Sequence, residues 1–185
     1  MSKPTSAEPV KLIFSVIAAT VPKLDETIAK LTAYYGQPDF ISDPVLFDYT
    51  DYYRREMGEN LVRRFLSMEK LVRPELLPDI KLATNDIENA FTLDGRRQVN
   101  IDPGYISKSH LILATGKGYA HRPYLRDGIY ADLTLFYQNK KFCSLPWTYP
   151  DYADEKQLAM LDKIRAAYLL QLKSMTLAES EPGGA

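Results

Sequence analysis

Residues 96–152 read RRQVNIDPGYISKSHLILATGKGYAHRPYLRDGIYADLTLFYQNKKFCSLPWTYPDY. Short apolar runs at 98–101, 110–115, 122–125, 129–137 and 141–147 alternate with polar turns, the pattern of antiparallel strands. Asp127-Gly128 and Gln138-Asn139-Lys140 read as hairpin turns, since Gly, Asn and Asp tolerate the backbone that tight connections need. A sheet built this way presents polar side chains along one rim. Both histidines, the one cysteine and the one tryptophan fall inside this stretch.

Upstream, residues 10–20 (VKLIFSVIAAT) form a β-branched apolar run read as a buried first strand. Pro22 suits a helix first turn; Leu24, Ile28, Leu31 and Tyr35 recur at helical spacing, and Gly36 with Pro38 ends the helix. Residues 45–50 and 61–72 read as strands, with a polar aromatic connection at 51–58 between them. Residues 74–91 form a second helix, with Leu77, Ile80, Thr84, Ile87 and Phe91 on one face. Downstream, residues 154–172 form a last helix with Leu158, Leu161, Arg165, Tyr168 and Leu172 in one stripe. The expected class is α+β: a ferredoxin-like β-α-β-β-α-β order, extended by an antiparallel meander and a C-terminal helix, with the helices on one face. Residues 1–9 and 177–185 read as disordered tails flanking a single domain at 10–176.

The chain has 185 residues, 45% hydrophobic and 25% charged, with 23 basic and 24 acidic side chains and a net charge of -1. No bulk field draws it to nucleic acid or an anionic membrane, and the arginine pairs at 54–55, 63–64 and 96–97 are scattered. A single cysteine, Cys143, forms no internal disulfide, so the cytoplasm is the expected compartment. The apolar run at 12–21 is too short to span a bilayer. Glu8 and Pro9, close before it, favour a strand over a signal peptide.

Five constellations could carry chemistry. Lys81, Asn85 and Glu88 share a row on the second helix, a cation, an amide and a carboxylate in register; the plain alternative is a solvated helix face. Asn100 and Asp102 alternate onto one side of a strand end before Pro103-Gly104, read as a tight turn; they suit a cation or a hydroxyl-bearing substrate, or an Asx turn. Gly116-Lys117-Gly118 with His121 and Arg122 could hold an anion, or be a flexible loop. Asp132 interrupts an apolar strand, which alternation places on a solvent face. Asp151 lies in Trp147-Thr148-Tyr149-Pro150-Asp151-Tyr152, where the rings could stack a base or sugar, or cap the core. No zinc spacing, nucleophile elbow or phosphate loop occurs, so the motifs name no cofactor and no metal.

Taken together, several segments resemble the bacterial DUF 4416 family, a domain of unknown function, over residues 10–168. The carriers are Phe47-Asp48-Tyr49-Thr50, Tyr52-Tyr53, Glu56-Met57-Gly58, Ile80-Lys81-Leu82, Thr84-Asn85, Glu88, the run at 99–105, Gly128-Ile129-Tyr130-Ala131 and the run at 147–152. The family brings no settled activity. Some members bear a GTP-binding label, yet Asn139-Lys140-Lys141-Phe142 lacks the acidic residue a guanine-reading motif needs.

These readings converge on a polar cleft between the second helix and the sheet, holding a small anionic ligand or nucleotide. Glu56, Lys81, Asn85, Asn100, Lys117, His121, Arg122 and Asp151 would bind it. Asp102 or Glu88 would act as base or cation ligand. The alternative is a non-catalytic interaction module that uses a tyrosine-rich surface, drawn from 13 tyrosines.

Overall fold

A computed structural model describes residues 1–50 and 52–180; for Arg55 and residues 178–180 only the backbone is described. In chain order the elements are β1 (Lys11–Ala18), α1 (Val21–Tyr35), β2 (Pro38–Ile41), β3 (Val45–Leu46), α2 (Arg54–Met57), β4 (Val62–Met68), a 3-10 turn (Pro74–Leu76), α3 (Leu77–Ala90), β5 (Val99–Ile106), β6 (His110–Thr115), β7 (Tyr124–Arg126), β8 (Ile129–Gln138), β9 (Lys141–Ser144), α4 (Pro150–Ala153) and α5 (Glu155–Ser180). This is an α+β architecture with one large sheet.

The strands pair antiparallel throughout, in the order β2-β4-β1-β5-β6-β8-β7, with β3 on β4 and β9 on β8. β1 lies between β4 and β5, and β4 lies between β1 and β2. Central β1 is buried along its whole length, as an apolar strand with neighbours on both sides must be. The two hairpin turns sit where the sequence placed them: Asp127-Gly128 and Asn139-Lys140 both take positive φ at consecutive residues, the backbone of tight two-residue turns.

Period-two alternation divides β1 between two cores. Leu12, Phe14, Val16 and Ala18 meet Leu24, Ile28 and Leu31 of α1 and Ile80 and Ile87 of α3. On the opposite face, Ile13, Phe65, Leu111 and Leu135 meet Tyr152 of α4 and Leu161, Ile164 and Tyr168 of α5. Helices therefore cover both faces rather than one, because α5 carries its own apolar stripe and the second face is equally apolar. That helix runs on through Ser180, into the segment expected to be a tail, while residues 181–185 of that expected tail lie outside the described residues.

Two further differences bear on the site. The Pro103-Gly104 turn does not form: β5 continues through both residues, which pair with Phe14 and Ile13 of β1. Proline fits there because β6 joins β5 only from Gly104 onward, so its missing N–H costs no ladder bond on that side. Glycine fits at 104 because a Cβ would collide with the Ile112 carbonyl oxygen and would sit 2.6 Å from a Leu113 methyl. Also, residues 38–41, to which no element was assigned, form β2 just past the helix stop at Gly36 and Pro38, and residues 150–153 form the short helix α4.

Candidate functional site

β5 and β6 are paired only over Gly104–Ile106 and Leu111–Leu113, so among the described residues no strand covers the outer side of the first half of β5. The side chains of α3 fill that role. Glu88 Oε1 accepts the Ile101 N–H at 2.8 Å, and Lys81 Nζ donates to the Ile101 carbonyl at 2.8 Å. Backbone groups at a buried strand edge must be paired, and here a helix does what a strand would otherwise do.

The parting of the two strands opens a cavity of about 590 Å³. That volume falls within the range of about 300–1,000 Å³ typical of small-molecule sites. Its floor is the β1–β5 face carrying Ser15, Ile17, Asn100 and Asp102; α3 contributes Lys81, Asn85 and Glu88. Tyr49, Tyr52 and Tyr53 form one wall, and Lys117, Arg122, Asp132, Tyr149, Asp151 and Tyr152 another.

Of the residues singled out in the sequence, Lys81, Asn85, Glu88, Asn100, Asp102, Lys117, Arg122 and Asp151 all line this one cavity. Lys81 Nζ lies 3.7 Å from Glu88 Oε1 and 3.9 Å from Asp102 Oδ1. Asn100 Nδ2 donates to Asp102 Oδ2 at 2.8 Å. Glu56 and His121 stand behind the lining. Glu56 pairs with Arg97 at 2.8 Å, and His121 stacks on Trp147 at 4.8 Å between ring centroids.

Sequence reading passed over Arg97 and Arg63 as site residues and placed Asp132 on a solvent face, yet these three tie the set together. Arg97 bridges three partners: Glu56, Glu88 at 3.2 Å and Asn100 at 3.0 Å. Asp132, expected on a solvent face, is buried and takes the Arg122 Nε–H at 2.8 Å. Arg122 also donates to the Tyr149 hydroxyl at 2.9 Å. Arg63, fully buried on β4, donates from Nη1 to Asp151 Oδ2 and lies among the rings of Phe65, Phe47 and Tyr49. A carboxylate or guanidinium inside an apolar strand was the available signal, since such a group is kept only with a partner.

Two kinds of electrostatics meet at the cavity. Burial pushes the Glu88 carboxyl above its ordinary range, and Asp102 adds to this, against the pull of Lys81, the Ile101 N–H and Arg97. Burial likewise raises the Tyr152 phenol well above its usual value, with the Asp102 and Asp151 carboxylates acting in the same direction. Tyr53 is raised by burial and then by Asp102. These phenols are therefore neutral hydrogen-bonding groups. Beneath the cavity wall the Ser15 and Tyr152 hydroxyls lie out of reach of solvent, and a hydrogen bond from Ser15 works against the rise of that phenol. Among the described residues no three His, Cys, Asp or Glu side chains group as metal ligands. No helix among them is long and apolar enough to cross a membrane.

No curated protein and no solved structure matches the chain. A family model does match, over residues 8–168, and covers most of the sequence. The chain therefore belongs to the family described as Domain of unknown function (DUF4416).

Proposed function

We propose that the cavity between α3, β5 and β6 binds a small polar ligand bearing an anionic group. The observation that carries this reading is convergence: Lys81, Asn85 and Glu88 of α3, Asn100 and Asp102 of β5, and Lys117 and Arg122 of the 116–122 loop all line one cavity of ligand size.

In this reading Lys117 and Arg122 hold the anionic end. The tyrosine wall packs against the body of the ligand, and Asp102 serves as base or hydroxyl acceptor. Glu88 and Lys81 position the site: both are committed to the Ile101 backbone, and Glu88 Oε2 is taken by Arg97. The split units β1-α1-β2 and β4-α3-β5, with both helices on one face, support a ferredoxin-like core to which the meander adds the far wall of the site.

Native mass spectrometry of the full chain purified from cells tests the reading. A small anionic adduct is expected, and it should be lost in a Lys117→Ala, Arg122→Ala double variant. Absence of any adduct, with no thermal shift across a panel of anionic metabolites, would overturn it. A second reading, a partner-docking surface, draws on the exposure of Tyr49, Tyr52 and Tyr149, at 42%, 58% and 50%. Since all three also line the cavity, Tyr52→Ala separates the two ideas. Loss of self-association or of partner capture with the adduct retained would favour docking.

A further inference from the structure

One carboxylate oxygen on the cavity wall has two claimants. Asp132 Oδ2 accepts the Arg122 Nε–H at 2.8 Å, and His121 Nε2 stands 3.8 Å from the same atom. The other oxygen, Oδ1, takes the Thr134 hydroxyl at 3.3 Å. All three members of the group are largely shut off from water: the Asp132, Arg122 and His121 side chains are 7%, 10% and 12% exposed. At 3.8 Å the imidazole makes no hydrogen bond, and its Nε2 is buried without a partner among the described residues. Folded proteins rarely leave such a nitrogen unbonded, and here a proton on Nε2 would make it a donor facing a carboxylate.

The ring is held where that proton counts. It stacks on Trp147 at 4.8 Å between centroids and 13° between planes, and Tyr119 packs edge-on at 5.2 Å. The indole is itself fixed, since its Nε1–H donates to the Leu133 carbonyl at 2.9 Å. The titratable and charged groups about the imidazole are Asp132 from β8, Tyr119 and Arg122 from its own loop, and Tyr149, reached through Arg122. Arg122 has a second footing: Nη1 donates to the Lys117 carbonyl at 3.2 Å and Nη2 to the Tyr149 hydroxyl at 2.9 Å. Loosening its Nε–H therefore leaves the guanidinium at the cavity, which both Arg122 and Asp132 line.

With a neutral imidazole the Arg122 and Asp132 charges cancel. With a protonated one, two cations share one carboxylate, and the group carries one net positive charge. Resting on the reading above that Arg122 holds the anionic end of a ligand, we propose that His121 is a proton switch for that site. Its protonation draws Asp132 Oδ2 to the imidazolium, weakens the hold on the Arg122 Nε–H and turns a neutral pair on the cavity wall into a cationic one. Anion binding then strengthens as pH falls from about 8 to 5, the interval in which imidazoles change charge. By linkage, a bound anion favours the protonated ring.

NMR of the full chain between about pH 8 and 5.5 tests the switch without any ligand. The chain has two histidines, so His110→Gln assigns the His121 signals. The His121 ring protons and the Arg122 Nε–H signal are expected to change over the same pH interval. Glu88, whose carboxyl is raised by burial, also takes up a proton in acid, so His121→Phe, which keeps a ring on Trp147, is the control. There the Arg122 signal should stay flat. An Arg122 signal indifferent to pH in the unmodified chain, or moving alike in His121→Phe, overturns the switch and leaves the ligand site standing. The unmodified chain decides the matter even if the variant fails to fold. Where native mass spectrometry finds an adduct, dialysis at the higher pH should leave a several-fold smaller loaded fraction than dialysis at the lower. Equal fractions overturn the switch as well. Absence of any adduct overturns the ligand reading, while the Arg122 signal still decides whether the proton exchange exists.

Discussion

Lys11 and Arg63 are both fully buried cations on the same face of the sheet, toward opposite ends of β1, and the protein treats them differently. Lys11 spends all three ammonium protons: on Asp39 Oδ2 at 2.6 Å, Gln171 Oε1 at 2.7 Å and the Met68 carbonyl at 3.0 Å. It joins β1, β2, β4 and α5 at one point. Arg63 has the Asp151 carboxylate, but its Nε and Nη2 find no acceptor among the described residues. Three aromatic rings lie within 5.6 Å of its guanidinium carbon instead. A saturated buried charge holds architecture together. A half-saturated one, paired with a carboxylate on a cavity wall, marks the end of the sheet where polarity is kept open.

The largest expected effect tests that contrast directly. Lys11→Met strands Asp39 and a buried carbonyl, and should cost about 3–5 kcal/mol in urea unfolding, the usual penalty for removing one partner of a buried pair. Arg63→Met should cost less, about 1–3 kcal/mol. It also unpairs a carboxylate, but it removes two unbonded donors and places an apolar chain among rings. Equal losses would mean that the unbonded donors of Arg63 carry no penalty, and the comparison would fail.

The same contrast explains what the sequence disclosed. Local patterns were legible: the alternation that buries β1, the tight hairpin turns, and the 3.6-residue rows that put Lys81 and Glu88 on one side of α3. The site residues that share a strand or helix followed from those periods, as Asn100 and Asp102 did. What stayed hidden depends on strand partners far away in the chain. Pro103-Gly104 looks like a turn unless one knows that β1 pairs straight through it. Asp132 looks solvent-facing until the 116–122 loop brings Arg122 and His121 against it. Arg63 and Arg64 read alike in sequence, yet Arg63 is buried beside Asp151 while Arg64 pairs with Asp25 nearer the surface. As neighbours on β4 they point to opposite faces of the sheet, and only the three-dimensional packing shows which face holds a buried carboxylate.

A second, smaller effect sets two carboxylates against each other in pH. Burial opposes the charge on Asp39, but hydrogen bonds from Lys11 and Ser67, with the Lys11 charge, outweigh it and hold the carboxyl below its ordinary range. Its contribution is present above the unfolded carboxylate pKa and is lost as pH falls through the lowered folded value, so below about pH 4. Glu88 has the opposite sign. Its folded pKa is raised, chiefly by burial, so its ionised form costs stability above that value and the cost is relieved as pH falls toward the ordinary range. Asp39→Asn should therefore flatten the acid limb of stability. Glu88→Gln keeps an acceptor for the Ile101 N–H and should change stability at neutral pH by under about 1 kcal/mol. A large loss in Glu88→Gln would show that its charge, and not its acceptor, holds the open edge of β5.

The smallest effect on stability is the sharpest on meaning. Ser15 sits midway along β1, between the saturated end at Lys11 and the open end beside Arg63, and its hydroxyl is shut off from solvent with the Tyr152 phenol beside it. Ser15→Ala removes a weakly bonded polar atom from a buried site, so thermal unfolding should show a change in stability of no more than about 1 kcal/mol. Because that hydroxyl has no surface on the cavity, the anionic adduct in native mass spectrometry should be retained. Loss of the adduct with stability unchanged would show that the ligand reaches down to β1, and would move the open end of the sheet toward its centre.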